Sequence, residues 1–130
     1  MSRYLADTTV LVEHLRGNPK ARQFLETEDP YISSITKAEL IQGAKDKTDL
    51  RMVIRACKDL SEIFLTEKIT SVALRLLEKF HHSHGLILLD AFIAASTIEN
   101  KLILITDNIK HYSFIKSLKI KDWKEIEKRV

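Results

Sequence analysis

Four acidic or amide positions follow short apolar segments along this chain. They are Asp7, Glu39, Asp90 and the adjacent pair Asp107–Asn108. If those segments are strands of one parallel sheet, the side chains at their carboxyl ends lie along a single edge, where ligands bind in such folds. Carboxylates that meet there repel one another unless a cation neutralises them, and such oxygen ligands suit Mg²⁺ or Mn²⁺. The chemistry predicted by this pattern is metal-assisted hydrolysis of a phosphodiester.

Each position also has a purely structural interpretation. Asp7 directly precedes a helical pattern and could be its N-cap. Thr36 and Glu39 have the spacing of a capping box, in which the Glu side chain reaches back to the start of the helix. Asp90 could cap the helix that follows it, and the Asp107–Asn108 pair could belong to a turn. Taken alone, each position is compatible with either a structural role or a role in a functional site. The four positions taken together favour a shared site.

Short apolar segments alternate with helical patterns throughout the chain. Such alternation predicts an α/β fold with a mainly parallel sheet and helices on both of its faces. The intervening segments are predicted to be helical as far as residue 115, and Trp123 is predicted to begin a polar tail. The predicted strands are 4–6, 31–35, 62–65, 87–89, 102–105 and 118–120.

Composition limits the classes of protein to which the chain can belong. Its 130 residues are 45% hydrophobic and 30% charged, which predicts one globular domain over 1–130. A net charge of +3 permits a polyanionic partner without demonstrating one. No apolar run approaches the roughly 20 residues of a membrane span. The start of the chain lacks a secretory signal, and Cys57 is the only cysteine, so we expect a cytoplasmic protein with Cys57 in its core.

Four segments carry a resemblance to a known family: LADTTVLVEHL, SSITKAELIQGA, LLDAFIAASTI, and LILITDNIKHY followed by LKIKDW. The chain resembles PIN-domain ribonucleases, most closely the small VapC-type toxins of toxin–antitoxin pairs. This resemblance implies a three-layer α/β/α, RNase H-like fold. It also implies an endoribonuclease that depends on Mg²⁺ or Mn²⁺ and that acts as a toxin.

The resemblance implies partners as well. They are an RNA substrate, with tRNA and rRNA as the suggested classes, a VapB-like antitoxin and a second copy of the chain, with no membrane association. Antitoxins of this kind cover apolar grooves of the toxin. The amphipathic segments 10–15 and 50–54 are expected to offer such a groove, although the same residues would also serve a core.

The resemblance assigns the acidic site residues. Asp7, Glu39 and Asp90 are expected to be catalytic and to bind the metal. The fourth position of the family lies two residues after a Thr that follows the buried strand. Because that Thr is Thr106 here, the fourth position falls on the neutral Asn108, which is the expected fourth catalytic residue.

Other residues near the site receive supporting roles from the resemblance. Asp107 carries the charge that Asn108 lacks, and it stays an alternative metal ligand. Thr8 and Thr106 are expected to orient the carboxylates through their hydroxyls. His111 is expected to steady the turn at Asn108.

Two other functions stay open at this point. A PIN-like domain that only binds partners is favoured by the neutral Asn108. A phospho-receiver signalling domain would also have about this length and acids at strand ends. It would need a second acid beside Asp7 and a Lys in a loop near the last strand, and neither is evident here.

Overall fold

The computed structural model describes residues 2–130, which form five short β-strands, seven α-helices and one 3-10 helix. The strands are β1 (Tyr4–Ala6), β2 (Ile32–Ser33), β3 (Glu62–Ile63), β4 (Ile103–Thr106) and β5 (Ile120–Asp122). The α-helices are α1 (Thr8–Leu15), α2 (Pro19–Glu28), α3 (Ser34–Gln42), α4 (Lys47–Lys58), α5 (Glu67–His84), α6 (Leu88–Glu99) and α7 (Trp123–Arg129). The 3-10 helix is Ile109–His111. None of the helices within residues 2–130 is long and apolar enough to cross a membrane.

All strand pairs in the sheet are parallel, which confirms the predicted α/β fold. Strands β1, β4 and β5 form one ladder, and β2 pairs with β3. A parallel bridge between Leu5 and Tyr31 joins the two groups. Hydrogen bonds of 2.9 Å from the Ala6 N–H to the Tyr31 carbonyl and from the Tyr31 N–H to the Tyr4 carbonyl hold this bridge. The strands therefore follow the order β3-β2-β1-β4-β5, and the carboxyl ends of β1 and β4 are adjacent.

Hydrophobic side chains cover both faces of the sheet. Successive strand residues point to opposite faces. Leu5 and Leu104 accordingly pack in a cluster with residues of α5 and α6. Tyr4, Ala6 and Ile105 pack in a second cluster with residues of α1, α2 and α4. Each large side chain that is fully buried in these clusters contributes about 1.5–3 kcal/mol.

Helix α3 begins earlier than the sequence predicted. The Ser33 hydroxyl accepts a hydrogen bond from the Ile35 N–H at 3.1 Å, so Ser33 is the N-cap and the predicted strand 31–35 is shortened. The capping-box interpretation of Thr36 and Glu39 is therefore wrong. Thr36 lies inside the helix and is buried, and the Glu39 side chain is directed to a different partner.

Helix α6 also begins before its predicted start. Helix α5 ends at Gly85, whose positive φ of 73° closes the helix in a left-handed conformation. Helix α6 begins at Leu88, so the predicted strand at 87–89 is wrong. A run of three apolar residues does not by itself distinguish a strand from the first turn of a helix. As a result, Asp90 lies in the first turn of α6 and is not its N-cap.

The end of the chain is helical and contributes to the core. The predicted polar tail is wrong, because Trp123 begins α7 and is only 1% exposed. Asp122 caps this helix by accepting a hydrogen bond from the Lys124 N–H at 3.0 Å. The Trp123 ring packs edge-on against Phe24 with 5.5 Å between the ring centroids. The predicted helix at 109–115 is reduced to the 3-10 helix, and β4 and β5 lie one and two residues later than predicted.

Candidate active site

The site is built on the adjacent carboxyl ends of β1 and β4. Asp7 directly follows β1, is only 4% exposed, and donates its backbone N–H to the Ile105 carbonyl at 2.9 Å. Thr106 ends β4, and its hydroxyl donates to Asp7 Oδ2 at 2.6 Å. The Thr9 hydroxyl donates to the same oxygen at 3.3 Å. Parallel strand pairing thus places a buried carboxylate among fixed hydroxyl donors.

Helix α6 brings a second carboxylate to the same edge. The Tyr112 hydroxyl lies 3.1 Å from Asp90 Oδ1 and 3.3 Å from Asp7 Oδ1. On its other side, Asp90 Oδ2 lies 3.2 Å from His111 Nδ1. Asp7 and Asp90 therefore meet at a single hydroxyl oxygen.

Glu39 on α3 is the third acid at this edge. The Thr8 hydroxyl donates to Glu39 Oε1 at 2.9 Å, and it lies 3.1 Å from the Thr36 hydroxyl. Because Thr8 directly follows Asp7 at the start of α1, this hydrogen bond holds α3 against the end of β1. The predicted orienting role of Thr8 therefore has a contact in the structure.

The three acids and Tyr112 influence one another electrostatically. Burial raises the pKa of Asp7, hydrogen bonds from Thr106 and Tyr112 lower it, and the charge of Asp90 raises it further. Burial also raises the pKa of Glu39, against a lowering by the Thr8 hydroxyl, and the charges of Asp7 and Asp90 add to the increase. The pKa of Tyr112 is raised strongly by burial and by both aspartates, so this phenol keeps its proton.

The turn after β4 holds Asp107 and Asn108. The Asp107 N–H donates to the Thr9 hydroxyl and the Asn108 N–H donates to the Thr106 hydroxyl, both at 3.0 Å. The Asn108 side chain is exposed. The Asp107 Oδ1 atom is buried and has no hydrogen-bond partner among the described residues. Neither the Asp107 nor the Asn108 side chain forms a hydrogen bond with Asp7, Glu39 or Asp90. The choice between Asp107 and Asn108 for the fourth position therefore stays a prediction.

His111 and Tyr112 add contacts that the sequence interpretation did not place. The backbone N–H of His111 donates to the Asn108 carbonyl at 3.0 Å, in keeping with a steadied turn, while the imidazole faces Asp90. Tyr112 was not predicted as a site residue at all. Its position directly after His111 in the segment TDNIKHY was the available signal, but an aromatic residue there is equally typical of a core.

The donor set fits a hard, hydrated cation. Among residues 2–130, no three His, Cys, Asp or Glu side chains already lie close enough to ligate one ion together. Mg²⁺, however, keeps several waters and is usually held through one or two carboxylates. Asp7 and Asp90 supply two adjacent carboxylates, and the buried Asp107 Oδ1 lacks a donor. Oxygen ligands of this kind favour Mg²⁺ or Mn²⁺ over softer metals.

Comparison with known proteins decides the family. Residues 4–115 match the family model of the PIN domain. This chain belongs to the PIN domain family. The match spans the elements from β1 to the segment after the 3-10 helix and includes Asp7, Glu39, Asp90 and Asp107. It leaves the phospho-receiver interpretation without support, because that interpretation requires a different family.

Named relatives of this PIN domain include ribonucleases. It is 30% identical over 120 residues to ribonuclease VapC19 of Mycobacterium tuberculosis. The aligned region covers 88% of this chain and 95% of the relative. It is 32% identical over 120 residues to ribonuclease VapC10 of the same organism, with 88% and 90% covered.

Solved structures similar to this PIN domain include toxin–antitoxin complexes. A toxin–antitoxin complex from Klebsiella pneumoniae contains a chain that is 29% identical, with a TM-score of 0.74 and coverage of 88% of this chain and 94% of that chain. VapBC2 from Rickettsia felis, bound to a promoter DNA fragment, contains a chain that is 26% identical, with a TM-score of 0.77 and coverage of 92% and 97%.

Proposed function

We propose that this PIN domain is an endoribonuclease that hydrolyses RNA phosphodiester bonds with Mg²⁺ or Mn²⁺ and acts as the toxin of a toxin–antitoxin pair. The observation that carries the proposal is the meeting of Asp7 and Asp90 at one buried hydroxyl, with Glu39 joined to the same edge by Thr8. The relatives named as VapC ribonucleases support the same activity.

Asp7 and Asp90 are the residues that would hold the cation, with Glu39 beside them. When bound, the ion supplies activation of water and stabilisation of the charge that develops on the phosphodiester. Thr106 and His111 each engage the Oδ2 atom of one aspartate, which leaves both Oδ1 atoms on the side of the shared hydroxyl. The contacts of Thr106 and His111 with the Oδ2 atoms would hold the two carboxylates in one orientation when their Oδ1 atoms bind the cation.

Glu39 has a different role in this proposal. Thr8 engages its Oε1 atom, so Oε2 is the atom available to an incoming water. Because the pKa of Glu39 is raised, mainly by burial, its carboxylate is a stronger base than an exposed Glu. Asn108 would fill the fourth position by hydrogen bonding to water at the metal site, and Asp107 is the alternative by charge.

Cleavage of RNA by the purified protein tests the activity. With Mg²⁺ or Mn²⁺ the native protein should cut a sensitive RNA, and an excess of EDTA should stop the reaction. Asp90→Asn should reduce the rate at least 100-fold, because a neutral amide is a poor ligand for a hard cation. Asp59→Asn is the matched control, since Asp59 is an exposed acid at the end of α4. Equal activity of the Asp90 and Asp59 variants would contradict the proposed site.

An antitoxin partner has a candidate groove next to the site. A groove of about 480 Å³ opens beside Thr8 and Glu39. Its apolar lining comes from α3 and from segments 10–15 and 50–54, which the sequence predicted to offer an antitoxin groove. The lining includes Val12, Leu15, Leu40, Met52 and Val53. An apolar segment of a VapB-like antitoxin would fill this groove and cover Glu39. Co-purification with the product of the neighbouring gene tests this partner. We also propose that the toxin is cytoplasmic and forms a homodimer, and light scattering of the free protein tests the homodimer.

A PIN-like domain that only binds partners is the second candidate. It is favoured by the neutral Asn108 and by the lack, among the described residues, of a ready three-ligand metal group. Calorimetric titration separates the two candidates. An absence of Mn²⁺ binding by the native protein would support the binding module.

A further inference from the structure

Tyr112 is held rigidly at the site by its surroundings. The residue is 1% exposed and belongs to the hydrophobic cluster that contains Leu104 and Ile115. Its backbone N–H donates to the Ile109 carbonyl at 3.0 Å, which fixes it directly after the 3-10 helix. The ring therefore has little freedom, and the position of its hydroxyl is set by the core.

The hydroxyl of Tyr112 faces two carboxylate oxygens at once. It lies 3.1 Å from Asp90 Oδ1 and 3.3 Å from Asp7 Oδ1. A phenol has one hydrogen to donate, so only one of the two contacts is a hydrogen bond at any moment. The other Oδ1 then faces the phenol oxygen without a hydrogen, and the two aspartate charges repel each other unless a proton or a cation neutralises one of them.

The other oxygen of each aspartate has a donor of its own. Asp7 Oδ2 receives hydrogen bonds from Thr106 at 2.6 Å and Thr9 at 3.3 Å, and Asp90 Oδ2 lies 3.2 Å from His111 Nδ1. The two Oδ1 atoms are thus the oxygens that share the Tyr112 hydroxyl as a common contact. A phenylalanine would fill the same hydrophobic space but would leave this pair without a common contact.

We propose that Tyr112 is a positioning residue whose hydroxyl fixes the orientation and spacing of Asp7 Oδ1 and Asp90 Oδ1, so that both carboxylates present to one divalent cation. This inference rests on the proposed metal-dependent function. It adds to that function a residue that acts through the two aspartates. Tyr112 itself contacts neither RNA nor the reacting phosphate in this account.

Metal affinity of a Tyr112→Phe variant is the primary test. The substitution removes one oxygen and keeps the ring in the core. Partners that orient metal ligands typically contribute 10- to 100-fold to metal affinity. Mn²⁺ titration by calorimetry should therefore give a Kd at least about 10-fold weaker than that of the native protein. Tyr31→Phe is the matched control, because Tyr31 is half-buried and its hydroxyl is not among the hydrogen-bond donors to Asp7 or Asp90, so its Kd should be unchanged.

The outcomes separate this inference from the proposed function. If the native protein neither binds Mn²⁺ nor cleaves RNA, both proposals fail. If the native protein does both and Tyr112→Phe binds Mn²⁺ with the native Kd, only the role of Tyr112 is overturned. Circular dichroism and thermal unfolding in EDTA show whether both variants are folded.

A measurement on the native side chain covers the case in which Tyr112→Phe does not fold. The chain has three tyrosines, so the ring signals of protein labelled with carbon-13 tyrosine can be assigned with Tyr4→Phe and Tyr31→Phe. Adding Mg²⁺ should shift the hydroxyl-bearing carbon of Tyr112 and leave those of Tyr4 and Tyr31 in place. An unchanged Tyr112 signal at saturating Mg²⁺ would overturn the inference.

Discussion

Asp7 is a buried acid whose ionisation opposes folding in the absence of a cation. The residue is 4% exposed, and burial is the largest cause of its raised pKa. Hydrogen bonds from Thr106 and Tyr112 offset part of the desolvation. A buried acid without a cationic partner costs free energy when it ionises. A free-energy cost of this kind is typical of residues at functional sites.

Replacing Asp7 by Asn should therefore stabilise the metal-free protein at neutral pH. An acid whose pKa is raised on folding favours the folded state below its unfolded pKa, near 3.8, and that contribution is lost as the pH rises through the folded pKa. In EDTA at neutral pH, Asp7→Asn should raise the Tm by several degrees, since about 1 kcal/mol shifts the Tm of a domain of this size by roughly 4 °C.

Lower pH and added metal should each remove this advantage. The difference in Tm should shrink as the pH falls through the raised pKa of folded Asp7 towards 3.8, because the protonated carboxyl is then neutral, like the amide of the variant. Saturating Mn²⁺ should raise the Tm of the native protein more than that of the variant. Asp59→Asn is the control and should change the Tm little under all of these conditions. A lower Tm for Asp7→Asn in EDTA would contradict this account of Asp7.

Residue types predicted part of the candidate site. The sequence predicted Asp7, Glu39 and Asp90 as site residues from the pattern of acids near the ends of apolar segments and from the family resemblance. It did not identify Tyr112, because a tyrosine among apolar neighbours has the same pattern whether its hydroxyl faces a site or solvent. The contacts of that hydroxyl depend on α6 and β1, which are distant in sequence.

At the scale of elements, local signals predicted most of the helices but missed the start of α6 and the whole of α7. Helix α2 begins after the Asn18 cap, and α5 lies between the Thr66 cap and Gly85, all of which are residue types that favour these helix ends. Helix α6 has no side-chain cap hydrogen bond at Ile87, so its start gave no local signal. Helix α7 has only seven residues, most of them charged, and its single buried residue is Trp123. Tertiary packing therefore determines where α6 begins and whether α7 forms.

Trp123 should therefore anchor α7 against the rest of the protein. Its ring packs against Phe24 of α2 in the second hydrophobic cluster. Removing a buried Trp side chain typically costs about 3–5 kcal/mol. Urea unfolding of Trp123→Ala should show a loss of that size in the free energy of unfolding.

An exposed residue of α7 provides the control for this prediction. Glu125→Ala should change the free energy of unfolding by less than about 0.5 kcal/mol, since its side chain is 65% exposed. Similar losses in the two variants would show that α7 does not depend on Trp123 for its packing.

At the scale of the whole molecule, the parallel sheet gathers residues that are distant in sequence. Asp7, Glu39 and Asp90 belong to three separate elements, and the order β3-β2-β1-β4-β5 places the end of β1 beside the end of β4. Alternating strands and helices predicted this convergence, since parallel strands share one carboxyl edge. Distances between the side chains could not be predicted, because they depend on packing angles between helices and sheet.

The central claim is that Asp7 and Asp90 would together hold the divalent cation on which RNA cleavage by this protein depends. Its most direct test measures the rate of RNA cleavage across a range of free Mn²⁺ concentrations and, separately, the Kd for Mn²⁺ by calorimetry without RNA. The account predicts one ion per chain, a half-saturating concentration for cleavage within about threefold of that Kd, and loss of both signals in Asp90→Asn but not in Asp59→Asn. Cleavage that persists in EDTA, or Mn²⁺ binding that is unchanged in Asp90→Asn, would contradict it.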